Sequence, residues 1–183
     1  MFISLGVLLI LALLLVNVFN RFVKNKNVVK DAWSNIDVAL KRRYDLIPNL
    51  VETVKGYAKH EISTLENVIN ARNSAMAVPS NDINAQIKAE NQLQQTLRSI
   101  FALSEAYPDL KANTNYLDLQ QKLNEIEENL ERSRRYYNGT VRVNNTYGES
   151  FPGTLFAGMF NYQQFEFFET DKESRENVKV SFD

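Results

Sequence analysis

Few residues in this chain could do chemistry, and the pair His60–Glu61 is the most suggestive. A zinc-binding HExxH helix needs a second histidine where this chain has Thr64, and His60 is the single histidine present. A catalytic zinc ion takes three protein ligands, so His60 reads instead as a half-exposed helix residue. A serine hydrolase triad fails for the same reason, because the one available base belongs to a helix interior. The chain has no cysteine, which removes thiolate metal sites, cysteine nucleophiles and a disulfide framework. No glycine-rich phosphate loop follows a strand.

Charged clusters are the next candidates. Glu125, Glu127, Glu128 and Glu131 could supply metal ligands as in helical-bundle carboxylate sites. Those sites add a Glu-x-x-His pairing from two helices, which is missing here. The four glutamates read as a solvated face opposite the seam Leu123, Ile126 and Leu130. Arg134 and Arg135, with Arg132 and Arg142, could meet anionic lipid or a partner, and i to i+4 ion pairs are the commoner use of such arginines. Arg42, Arg43 and Asp45 stand out because Arg43 lies beside an apolar stripe where the chain is expected to turn. A partly buried arginine needs a carboxylate or carbonyl partner, and the acidic stretch of the last helix is the expected source. The role assigned to these residues is structural, pinning helix register. No cofactor and no small-molecule substrate is expected, and a net charge of -1 gives no pull toward nucleic acid.

The elements that must carry these residues begin with Phe2 to Phe19, eighteen residues without a charge. Extended by Phe22 and Val23, the stretch reaches the length that spans a hydrocarbon core. It lacks a basic n-region and a small-x-small cleavage site, so it reads as a transmembrane helix over residues 1–23 rather than a signal peptide. Arg21, Lys24, Lys26 and Lys30 follow it before the first acidic residue, Asp31. The positive-inside rule then predicts a single-pass protein of the cell membrane with its N-terminus outside and the rest cytoplasmic.

Residues 24–147 are expected to form an all-α, antiparallel up-and-down bundle. Ile36, Leu40, Tyr44, Ile47, Val51, Val54, Ala58, Ile62, Leu65 and Ile69 recur at helical spacing up to Pro79. Ser80 or Asn81 can cap the next helix, whose stripe runs Ile87, Leu93, Leu97, Ile100, Leu103 and Tyr107. Pro108 ends that helix, since the residue before a proline avoids helical geometry. The last helix starts near Asn113 or Thr114, with the seam Tyr116, Leu119, Leu123, Ile126, Leu130, Ser133, Tyr137, Val141 and Asn144. Pro48 interrupts the first stripe. An unbroken helix there would outrun its neighbours, so a turn at Pro48 giving four helices is the favoured reading, with a three-helix bundle whose first helix is kinked at Pro48 as the alternative.

Residues 148–183 form an aromatic-rich tail. Phe165 and Phe167, then Val178, Val180 and Phe182, alternate with period two and suggest two short strands. With Phe151 and Pro152 at its start, the tail is expected either to pack between subunits or on a partner, or to fold over its own bundle.

Several separated motifs resemble the LemA family: the N-terminal span, WSNIDVALKRRYDLIPNLVETVKGYAKHE, AYPDLKAN, ERSRRYYNGTVRVNN, FPGTLFAG and a VKVSF terminus. The resemblance covers nearly the whole chain. It implies a membrane-anchored helical-bundle domain on the cytoplasmic side and transfers no catalytic residue. Gly139 inside a helix and the absence of proline between Phe165 and Val178 depart from the expected pattern. Two functions follow as expectations. The first is a noncatalytic membrane scaffold whose partners are the lipid bilayer and either itself or another membrane protein. The second is a membrane-associated enzyme or metal-handling protein using bundle carboxylates.

Overall fold

A computed structural model describes residues 2–79 and 82–168. Among them every regular element is helical: α1 (Phe2–Lys55), α2 (Ile62–Met76), α3 (Ile83–Ser104), α4 (Pro108–Lys111), α5 (Thr114–Glu149) and α6 (Gly153–Phe156). The chain divides into two compact units. One takes the described parts of Met1–Leu40 and Glu127–Phe167, the other those of Lys41–Ile126 and Phe168–Asp183.

The favoured turn at Pro48 does not occur, because α1 runs through it to Lys55. A proline inside a helix removes the N–H that would bond the carbonyl four residues back, here that of Tyr44. Arg72 on α2 repairs the defect by donating its Nε–H to the Tyr44 carbonyl at 2.7 Å. The helix therefore keeps its acceptor satisfied, and the ion-assisted bond ties α2 to α1. The chain reverses later, over residues 56–61, where Gly56 weakens the helix and the buried Ala58 docks. Tyr57 and Ala58 both donate from their backbone N–H groups to the Val54 carbonyl. His60 falls in this connection and is exposed, so it is not the helix residue expected.

This repair makes a coupled prediction. Arg72→Ala should cost about 1–2 kcal/mol by leaving a helix carbonyl without its donor. In a Pro48→Ala background the backbone N–H returns, and the cost of Arg72→Ala should shrink to a few tenths of that. A double-mutant cycle measured by urea unfolding checks it; equal costs in both backgrounds would show that Arg72 does not serve the Tyr44 carbonyl.

The remaining boundaries follow local chemistry. Residues 80 and 81, expected as caps of α3, lie outside the described residues. Asp82 takes that role, accepting from the Ala85 N–H at 2.9 Å. Pro108 stands at the first helical position of α4, and Tyr107 before it is extended, with φ -124° and ψ 88°. Asn113 caps α5 by accepting from the Tyr116 N–H and donates through Nδ2 to the Tyr57 hydroxyl at 2.8 Å.

The portion of α1 before Leu40, which seemed to lack a partner, has one within its own unit: Trp33 meets Tyr137 of α5 edge-on, with ring centroids 5.4 Å apart. α5 also continues through Gly139 to Glu149. The two strands expected in the tail are not seen. Residues 162–168 have no regular structure, and Val178, Val180 and Phe182 lie outside the described residues.

Candidate functional site

Two places gather functional side chains, one in each unit. In the second unit, buried residues recur along α3 at Glu90, Leu93, Leu97, Ile100 and Ser104, the three-four spacing of a helix seam. Arg43 holds the matching position on α1 between Leu40 and Ile47. Both seams thus carry one charge each, with Arg43 at 1% and Glu90 at 0% exposure. The Arg43 guanidinium pairs with Glu90 Oε2, and the Tyr44 hydroxyl donates to Oε1. Gln86, one turn before Glu90, donates Nε2 to the same Oε1 at 3.0 Å and to the Ala75 carbonyl at the end of α2 at 3.3 Å. A carboxylate holding three donors is an anchor for α1, α2 and α3 rather than a proton shuttle. Glu90 was missed in the sequence, although a glutamate in register with Leu93, Leu97 and Ile100 is a readable sign.

In the first unit the tail folds onto the end of the apolar stretch. Phe160 meets Phe19 and Phe22 edge-on, with centroids at 5.1 and 5.8 Å, and Phe22 packs on Tyr147 at 4.9 Å. Arg21 lies 5.0 Å over the Tyr147 ring, a cation–π contact. Asn145 holds the extended backbone of Phe165 in the manner of a neighbouring strand: its Oδ1 accepts from the Phe165 N–H at 3.1 Å, and its Nδ2 donates to the Phe165 carbonyl at 2.8 Å. The Tyr137 hydroxyl donates to the Glu166 carbonyl at 2.9 Å. The Asn145 amide and the Tyr137 hydroxyl on α5 therefore supply the pairing that a second strand was expected to give. A cavity of about 240 Å³ opens beside this packing, lined among others by Phe22, Lys26, Asn144 and Tyr162.

Two glycines permit the close approach. A Cβ on Gly148 would enter the Tyr162 ring, and one on Gly153 would overlap the Tyr147 carbonyl oxygen. Gly153 belongs to the FPGTLFAG stretch, whose first two residues, Phe151 and Pro152, are joined by a cis peptide bond.

The other residues singled out in the sequence are dispersed. Arg42 and Asp45 are exposed on α1. Arg134, not Ser133, occupies the buried seam of α5. Burial pushes the pKa of its guanidinium down, against the opposing pull of Glu127 and Glu131, and Glu127 lies 3.7 Å away. Arg135 pairs with Glu131 at 3.6 Å and Arg132 with Glu128 at 3.8 Å, both at i to i+4 spacing on the exposed face. Glu125 accepts from Gln121 at 3.0 Å. The acidic stretch is thus occupied with its own helix. Phe165 is half-buried, Phe167 is exposed, and Phe182 lies outside the described residues.

The pattern of known families decides identity. The LemA family model matches residues 32–182. The chain belongs to the LemA family. The matched range contains Arg43, Glu90, Asn145 and Gly153 and begins after the apolar stretch. Protein LemA of Metamycoplasma hominis is 25% identical over 119 residues, covering 65% of this chain and 54% of that relative. This LemA family chain therefore spans about half the length of that curated relative.

Tyr137 gives the site a pH signature. Burial, with a smaller contribution from Glu166, pushes its hydroxyl up to about 12. A phenol that ionises less readily when folded than unfolded stabilises the fold below its unfolded pKa near 10, and this contribution is lost as pH rises toward 12. Burial moves Tyr116 and Tyr162 in the same direction. Stability should therefore fall between about pH 10 and 12, by about 2 kcal/mol from Tyr137 alone. Tyr137→Phe should be less stable at neutral pH, through the lost bond to Glu166, yet show a shallower alkaline decline. Unfolding midpoints across that range test it; parallel curves for the two proteins would count against it.

Proposed function

We propose that this LemA family chain is a noncatalytic, membrane-anchored helical scaffold or interaction protein. The observation that carries the reading is in α1: its apolar stretch, a candidate membrane span with mean hydropathy 2.5 and mostly exposed side chains, continues without a break into the helix bearing the buried seam. The closed Arg43–Glu90 cluster and the self-paired acidic face support a structural use of the charged residues over the carboxylate-enzyme alternative.

The reading places the N-terminus outside the cell membrane and the helical domain in the cytoplasm, with the bilayer and a second protein, or another copy, as partners. A cysteine introduced at the exposed Lys122 should resist an impermeant thiol reagent in intact cells and react after lysis. Labelling before lysis would reverse the orientation. Stoichiometric divalent metal retained by the purified full chain would favour the metal-handling alternative.

A further inference from the structure

We propose that residues 151–159 form an interfacial foot, a second and shallow membrane contact beside the anchor. The inference rests on the reading of α1 as a membrane span. Phe151, Leu155 and Met159 are 79%, 66% and 67% exposed, spaced by four residues across the short helix α6 and the turns that flank it. The turns are closed by backbone bonds from Thr154 to Ser150 and from Phe160 to Phe156. The opposite side of the same turns, with Gly153 and Phe160, is already committed to α1 at Phe22 and Phe19. A segment that is apolar on both faces and carries no charge from Ser150 to Phe165 calls for an apolar environment on its open face as well.

The depth of the segment identifies that environment. Along α1, side chains from Ile3 to Val16 are exposed, and Val18 and Phe22 are the first to be buried. From Ile3 to Phe22 the helix rises about 29 Å, close to the thickness of a hydrocarbon core. The tail therefore meets α1 at the last turn of the span, where acyl chains give way to headgroups. Phe151, Leu155 and Met159 are exposed on the segment that carries Phe160 to this level, within one or two turns of the contact with Phe19 and Phe22. Lys24 and Lys26 on the next turn suit anionic headgroups. Apolar side chains with basic neighbours are the composition of an interfacial element. The occupant of this face is the bilayer itself.

The absence of cysteine permits a clean test. Single-cysteine variants Leu155→Cys and Met159→Cys of the full chain, labelled with an environment-sensitive nitrobenzoxadiazole probe, are reconstituted into vesicles of phosphatidylcholine and phosphatidylglycerol. Leu11→Cys reports the span and Lys122→Cys reports water. The probes at 155 and 159 should emit to the blue of the one at 122, and a lipid spin label near the headgroup should quench them more than one deep in the acyl chain. The probe at 11 should show the reverse preference. Water-like emission at 155 and 159 with quenching at 11 overturns the foot and leaves the anchor standing. Blue-shifted emission without lipid quenching also overturns it, since a second copy would then cover the face. Water-like emission at 11 as well would overturn the anchor reading and the foot together. The two foot positions are read independently, with helical circular dichroism confirming that each variant is folded.

Discussion

Glu90→Ala should destabilise the protein by about 3–5 kcal/mol, the usual cost of leaving one member of a buried ion pair behind. The variant removes the carboxylate that pairs with the buried Arg43 guanidinium and that accepts from the Tyr44 hydroxyl and the Gln86 amide. Arg43 and Tyr44 are buried, so much of their desolvation cost becomes net loss. Arg43→Met should cost less than Glu90→Ala, because the Glu90 carboxylate keeps the Tyr44 hydroxyl and the Gln86 amide as donors. Arg43→Met with Glu90→Leu should be milder than Glu90→Leu alone, since neither seam then keeps its unpaired charge. The check is urea unfolding of the full chain in mild detergent, followed by helical circular dichroism. A double variant as unstable as the sum of its parts would show that the pair acts through something other than mutual compensation.

The second large effect is expected at Gly153→Ala, which should cost about 3 kcal/mol, at the upper end for overpacking. The added methyl meets a backbone oxygen, that of Tyr147, with the Phe22 ring at 3.5 Å behind it. A side chain could rotate away, but a helix carbonyl cannot, so the segment from Gly153 must lift from α5. The loss should appear at Trp33, the single tryptophan, whose ring meets Tyr137, the residue that holds Glu166. A lowered midpoint of its emission change on unfolding and faster chymotryptic cleavage within residues 151–165 are expected. Gly158→Ala serves as the control, because nothing lies within 4 Å of a Cβ there. Equal behaviour of the two variants would mean that the close approach at Gly153 does not hold the tail.

Much of the helical organisation was readable from residue types and spacing. Apolar residues at three-four intervals announce a helix because the backbone repeats locally, and Pro108 and Asn113 act on neighbours within a turn. The apolar stretch from Phe2 is likewise a matter of composition over a window, and the family motifs are local strings. The candidate site was legible in fragments: Arg43 was singled out as needing a partner, and the tail aromatics as needing cover.

Residue types and spacing alone establish a helical chain with one long apolar stretch that belongs to the LemA family. Tertiary structure decided whether α1 survives Pro48, what meets Arg43 and where the tail lies. Each of these depends on a group distant in sequence. The cost of Pro48 hinges on whether Arg72, 28 residues away, can reach a freed carbonyl. Arg43 is met by Glu90, 47 residues on. Asn145 substitutes for a strand only because α5 places its amide along the backbone of Phe165. A periodic pattern specifies which face of a helix is buried, and it is the packing of the faces that chooses which unsatisfied group meets which donor.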